Sequence, residues 1–276
     1  MTERRLIRKT QGMPTQDGAG VSLSRIIGNP SVQRLDPFLM LDEFKSDDPN
    51  QYIAGFPFHP HRGFETVTYL LEGSVRHRDH MGNEGYLAPG SIQWMTAGRG
   101  IIHEEMPQQE DGMLWGFQLW VNLPARDKMT NPRYQDILPQ EIPERAFSAG
   151  QVRILAGHYE GIAGPVQGIA TEPNFFDVRF SQSGTWQHRL KAEHTAFIYV
   201  YQGQAKICQE SVSTGELGIL SAGDALNVEA EANTGLLVVA GMPLNEPVVQ
   251  YGPFVMNTVE EVEQAITDYQ AGRLTA

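Results

Sequence analysis

One cysteine, Cys208, stands in 276 residues, so no disulfide can form within the chain. A scaffold held by crosslinks is excluded, and a reducing cytosol is the natural compartment. Long apolar runs are missing too: none reaches the length needed to span a bilayer. Basic residues are the minority charge. Lys and Arg total 21 against 33 Asp and Glu, a formal net charge of −12 and an isoelectric point near 5.1. So acidic a chain repels polyanions, which argues against direct nucleic-acid or anionic-membrane partners. The one basic stretch, residues 1–9, lacks the apolar segment of a signal peptide and reads as a solvated edge strand. Hydrophobic residues make up 41% and charged ones 20%, the balance of a globular protein able to bury a sizeable core.

Histidine, by contrast, is concentrated. Five of the eight lie between His59 and His103. His59-Pro60-His61 and His103-Glu104-Glu105 form two triplets separated by Gly-rich turns. A strand sends alternate side chains to opposite faces, so His59 and His61 share a face about 6.6 Å apart. His103 and Glu105 share one by the same parity, and Glu104 points away. If the two strands face each other, three imidazoles and one carboxylate converge, which is the donor set of a metal site. A single H-x-H triplet is common by chance, and the second pair with fitting flanks carries the argument. Residues 66–71 are rich in β-formers and end at Gly73, and residues 85–90 form a turn beside a strand. Gly98 and Gly100 free the backbone ahead of a short strand at Ile101-Ile102-His103.

The chain repeats itself weakly. Residues 66–73 have a counterpart in 196–203, and residues 85–90 one in 218–223, both offset by about 130 residues. Short strands punctuated by Gly turns favour sheets packed as a barrel or jelly roll. Residues 139–144, with Pro139 and Pro143, suit a linker. The expectation is an all-β fold of two tandem β-barrels, residues 1–138 and 145–276. Applying the first offset to His59 and His61 lands on Arg189 and Lys191, cations that cannot ligate a metal, while Glu105 falls near Val238. The second barrel is therefore expected to be structural, to close a pocket or to bind a partner. Near the end, Thr258 and Glu261 form a capping box. Val259, Val262, Ala265, Ile266 and Tyr269 follow at helical spacing, and Gly272 suits the stop, which predicts one C-terminal α-helix.

The run Pro57-Phe58-His59-Pro60-His61-Arg62-Gly63-Phe64-Glu65 and its continuation to Gly73 resemble the signature of the pirin family, within the cupin superfamily. So do Gln93-Trp94-Met95-Thr96-Ala97-Gly98-Arg99-Gly100, then Glu105-Met106-Pro107, and Gly252-Pro253-Phe254-Val255-Met256-Asn257-Thr258. The likeness runs through almost the whole chain. It implies two tandem cupin jelly-roll β-barrels, the N-terminal one holding a single metal, usually iron. Carried onto this sequence, the ligands would be His59, His61, His103 and Glu105. Typical cupins take their carboxylate soon after the H-x-H pair, which here is Glu65; the pirin pattern and strand parity with His103 both favour Glu105. Glu65, expected to share a face with His61, is the candidate for a base or ligand-orienting group beside the metal. Phe56, Phe58 and Phe64 could line an aromatic-binding mouth.

Three neutral imidazoles and one carboxylate leave a divalent ion with a charge of about +1 and, in an octahedral shell, two open positions. Fe(II) suits such a set, and Mn, Ni, Cu or Zn could occupy it. Tetrahedral Zn would instead close the site. Several pirins resemble quercetin 2,3-dioxygenases in activity, while others act as regulators. The resemblance thus implies a dioxygenase using Fe(II) and O2 on a flavonol such as quercetin, or on a similar small enol. Its alternative is a non-enzymatic, metal- or redox-sensing regulator with a protein partner.

Overall fold

The computed structural model describes residues 2–276; Met1, the first residue of the basic stretch, lies outside the described residues. The chain forms two compact units. One comprises Met13–Asn29, Phe38–Pro139 and Leu244–Ala276; the other comprises the residues up to Gly12, Pro30–Pro37 and Gln140–Pro243. The break at residues 139 and 140 falls in the expected linker. The partition is not linear, however. Each unit combines a main barrel with a terminal segment from the other end of the chain.

Both units are all-β and of jelly-roll type, each with one seven-stranded and one four-stranded sheet. In the histidine-rich unit the larger sheet runs Arg133–Ile137, Ile92–Thr96, Phe64–Glu72, Leu114–Asn122, Phe38–Ser46, Val21–Ile27, Met13–Asp17. The smaller runs Phe56–His61, Ile101–Pro107, Val75–Asp79, Glu84–Leu87. All pairings are antiparallel. One end of this barrel is apolar, with Leu70, Val75, Leu87 and Leu114 buried together. Each such side chain contributes roughly 1.5–3 kcal/mol by leaving water. The other end carries the histidines.

The second unit repeats the plan. Thr195–Gln202 takes the central place of Phe64–Glu72, between Glu216–Leu220 and Thr234–Gly241. Its four-stranded sheet runs Gly184–Arg189, Ala225–Ala230, Gln204–Ile207, Glu210–Ser213. The basic stretch is an edge strand from Leu6 onward: Leu6–Gln11 borders the larger sheet, pairs with Glu216–Leu220 and is mostly exposed. Arg4 ahead of it is buried, donating to the Ser221, Lys191 and His194 carbonyls. The first stretch of the repeat holds, but the second is displaced. Glu216–Leu220 sits in the larger sheet, where its counterpart is Ile92–Thr96 and not Glu84–Leu87. The following glycines agree, Gly100 at φ 154° and Gly223 at φ 155°.

The C-terminal helix spans Val259–Gln270 and begins with the expected Thr258–Glu261 capping box. Of its apolar stripe, Val262 and Ala265 are buried, while Val259 and Tyr269 are exposed. Phe254, Ala265 and Leu274 pack together, with Ile102 and Ile266 against them. Among the described residues, no helix is long and apolar enough to cross a membrane.

Candidate metal centre

Pairing of Ile101–Pro107 with Phe56–His61 brings the histidines together. His103 lies opposite His59, and Ile101 opposite His61. One ring nitrogen from each of His59, His61 and His103 lies within 4.8 Å of the other two. The ring centroids are 4.4–4.9 Å apart. His61 and His103 are buried, and His59 is half-buried. Burial, then the neighbouring histidines, hold His61 and His103 well below the usual imidazole range, so both are neutral with a lone pair to give.

The tautomers suit ligation. His59 places Nδ1 2.8 Å from the Pro57 carbonyl, and donating there leaves Nε2 free. His61 Nδ1 and His103 Nε2 are buried and have no hydrogen-bond partner. Buried polar atoms are seldom left so unless something else satisfies them. Three convergent imidazoles with open nitrogens fit a divalent ion of the zinc or first-row transition group.

Glu105 faces the barrel interior as parity requires, although the ladder to Phe56–His61 shifts register between His103 and Glu105. Its carboxylate does not complete the three-histidine group. Thr68 Oγ1 lies 2.9 Å from its Oε1, and Gln118 Nε2 donates to Oε2 at 3.0 Å. Both partners stand on the facing seven-stranded sheet, opposite each other in register. Glu104 points outward to ion pairs with Arg76 and Arg78.

Glu65 is not beside the cluster. It accepts from Thr96 Oγ1 at 2.7 Å, its cross-strand neighbour, on the face opposite the one that carries Thr68. The expectation failed because parity runs only within one strand. At Gly63, with φ 91°, the chain turns between Phe56–His61 and Phe64–Glu72, and the alternation restarts. Burial pushes the Glu65 carboxyl up to about 7, with the Thr96 bond opposing. Of the three phenylalanines, Phe64 alone joins the site, 5.0 Å from His61 and 4.3 Å from Trp120 between centroids. Phe58 is exposed, near Arg78, and Phe56 packs on the apolar end.

The C-terminal segment of the same unit grips the H-P-H turn. Arg62 binds Asp268 at 2.9 Å and the Leu274 carbonyl at 3.0 Å, and also donates to the Arg99 carbonyl. Lys128 Nζ donates to the carbonyls of Gly63 and Val255 and to Asn122 Oδ1 at 2.8–2.9 Å. Burial pushes this ammonium down to about 8. His77, Thr68, Gln118 and Trp120 went unmarked in the sequence. The signal was there as period two, Gly116, Gln118 and Trp120 sharing one face and Val75, His77 and Asp79 another.

Comparison with known proteins bears on the family and the fold. The pirin family profile matches residues 20–121, and that of the pirin C-terminal cupin domain matches residues 175–275. A Pseudomonas aeruginosa protein provisionally named a quercetin 2,3-dioxygenase is 50% identical over 271 residues, 95% of each chain. The crystal structure of an Acinetobacter baumannii quercetin 2,3-dioxygenase matches with a TM-score of 0.92 and 33% identity, covering 99% of both chains. A bacterial pirin of Escherichia coli, solved in complex with nickel(II), shares the fold at a TM-score of 0.67 and 21% identity, over 88% of this chain and 99% of its own. With both halves matched in order and identity sustained along its length, the chain belongs to the pirin family.

Proposed function

We propose that this pirin is a metal-dependent dioxygenase of the quercetin 2,3-dioxygenase type, acting with O2 on a flavonol or similar small enol. The observation that carries the reading is the trio of convergent imidazoles, two of them with buried ring nitrogens that no protein group satisfies. His59, His61 and His103 would hold the ion, with Glu105 as the carboxylate ligand. Fe(II) is the ion proposed; the nickel(II) bound by the Escherichia coli pirin supports a divalent metal in this fold. A bound Fe(II) would supply Lewis acidity toward an enol oxygen and one-electron chemistry toward O2.

The chain itself supplies position. Thr68 and Gln118 engage both Glu105 oxygens, fixing the direction in which the carboxylate can be offered. Trp120 stands 5.3 Å from His61 and tilts on Phe64, giving an aromatic wall against which a planar ring system packs. Held there, an enol needs little further ordering before reaction. The test is O2 uptake and bleaching of quercetin by Fe(II)-loaded protein, with His61→Ala as control and metal counted per chain. Wild-type turnover with one ion per chain, lost in the variant while β-rich circular dichroism persists, is the expected result. Quercetin binding without O2 uptake above the control would overturn the enzyme reading in favour of a metal-sensing regulator.

A further inference from the structure

His77 is a buried histidine outside the three-membered cluster, yet it touches the cluster's most enclosed member. It sits on Val75–Asp79, directly opposite Glu105 in register, while His103 lies opposite Asp79. His77 and His103 are thus diagonal neighbours on one face of an antiparallel pair, close enough for their rings to meet. Their Nδ1 atoms lie 3.3 Å apart, and their centroids 5.0 Å apart at 49°. Only 2% of His77 and none of His103 is exposed to solvent.

A hydrogen bond between two neutral imidazoles uses one proton, and two placements exist. If His77 donates, His103 Nδ1 accepts and His103 must carry its own proton on Nε2. That N–H would then lie buried with no acceptor, and it could not ligate an ion. If His103 donates from Nδ1, its Nε2 keeps a lone pair for the cluster. His77 then carries its proton on Nε2, which is also buried without a partner, but among charged groups of which Glu105, Asp136 and Asp79 favour a proton and only His59 opposes it. Each placement leaves one buried Nε2–H without an acceptor, and the second puts it beside the carboxylates and leaves the cluster a lone pair, so the second is preferred.

We propose that His77 is a positioning residue: its Nδ1 accepts the His103 Nδ1–H and so holds His103 in the tautomer whose Nε2 faces His59 and His61. The inference rests on the metal-centre reading. It adds a neutral acceptor in the place that a carboxylate or backbone carbonyl fills behind most metal-binding histidines. Being uncharged, it orients His103 without changing the net charge of the site.

Two measurements test this. The first is the imidazole nitrogen NMR spectrum of metal-free protein, in which His103 is expected as the Nδ1–H tautomer. In His77→Phe, which keeps a ring but removes the acceptor, that preference is expected to weaken. The second is calorimetric titration with Ni(II). His77→Phe should lose about 10–100-fold in affinity, as other losses of an orienting partner do. His77→Asn, whose amide oxygen can accept near the Nδ1 position, should recover most of it. A merely structural role would not sort the two variants in this way. The Nε2–H tautomer of His103 in the wild type, wild-type Ni(II) affinity in His77→Phe, or equal losses in both variants would overturn the proposal. Wild-type protein that takes up no Ni(II) would sink the metal-centre reading instead, and the spectrum of the metal-free protein would still decide the tautomer.

Discussion

Gly63→Ala is the perturbation that best probes how the C-terminal segment holds the histidine turn. An alanine Cβ would stand 1.9 Å from the Val255 carbonyl oxygen and 2.8 Å from Met256 Sδ, with the backbone at φ 91°. The conformation alone costs about 1–2 kcal/mol for a residue with a side chain. The Val255 carbonyl must also retreat by about 1 Å or more before the contact becomes tolerable. Retreat withdraws it from the Lys128 ammonium, a charged hydrogen bond of about 1.5–3 kcal/mol. The total is about 3–5 kcal/mol, or about 10 °C in melting temperature for a unit of this size. Urea denaturation followed by tryptophan fluorescence gives the free energy, since Trp94, Trp115 and Trp120 all belong to this unit. Gly82→Ala is the control: its φ is 87°, but nothing lies within 4 Å of the added Cβ. That variant should show the conformational cost without the contact. Equal losses in the two variants would refute the reasoning, because the grip of the C-terminal segment would then contribute nothing at Gly63.

Glu105→Gln should weaken Fe(II) or Ni(II) binding more than Glu65→Gln does, read by calorimetric titration; the reverse order would move the carboxylate ligand to Glu65. Glu65 also makes a pH prediction. With its folded pKa raised to about 7 from 4.5, the folded state binds more protons than the unfolded one between those values, so stability falls as pH rises through that window. Glu65→Gln should remove this slope and be more stable than wild type at pH 8 by up to about 3 kcal/mol in urea titrations. Lys128 works in the opposite sense: with its folded pKa depressed to about 8 from 10.5, the folded state binds fewer protons, and stability rises between those values. Lys128→Met should flatten that rise while lowering stability at pH 7, where three acceptors lose their donor.

Strand alternation made the histidine cluster and the direction of Glu105 legible, because those inferences need only a period of two within one strand. His59 with His61, and His103 with Glu105, are each separated by a single residue, and the two strands are neighbours in one sheet. Glu65 was misplaced for the same reason the others were placed: parity was carried across Gly63, where the strand ends. The capping box at Thr258 was legible because it is a local motif. The destination of the helix was not, since Asp268 and the Leu274 carbonyl meet Arg62 across more than 200 positions of chain. The exchange of terminal segments was hidden likewise. Nothing in Leu6–Gln11 specifies which open sheet edge it completes, only that it suits one.

The two barrels show what separates a site from a core on one scaffold. In the second barrel the strand Gly184–Arg189 takes the place of Phe56–His61, and its inward residues are Trp186 and His188, opposite Val228 and Leu226. An offset counted along the sequence had landed on Arg189 and Lys191, one and three residues past the inward histidine, because loops of unequal length shift the count. One imidazole survives at the inward position, but Val228 stands where His103 stands in the first barrel. The facing sheet offers Ile198, Val200, Leu236 and Val238 where the first barrel has Thr68 and Gln118. His188 is packed instead among Tyr159, Phe176 and Trp186. A carboxylate placed against those four aliphatic side chains would find no side-chain donor among them, and burying it unpaired would cost several kcal/mol. On the proposed metal-centre reading, the site therefore depends on the facing sheet as much as on the histidines. Convergent histidines on one sheet and polar groups facing them from the other, here Thr68 and Gln118, occur together in the first barrel alone among the described residues.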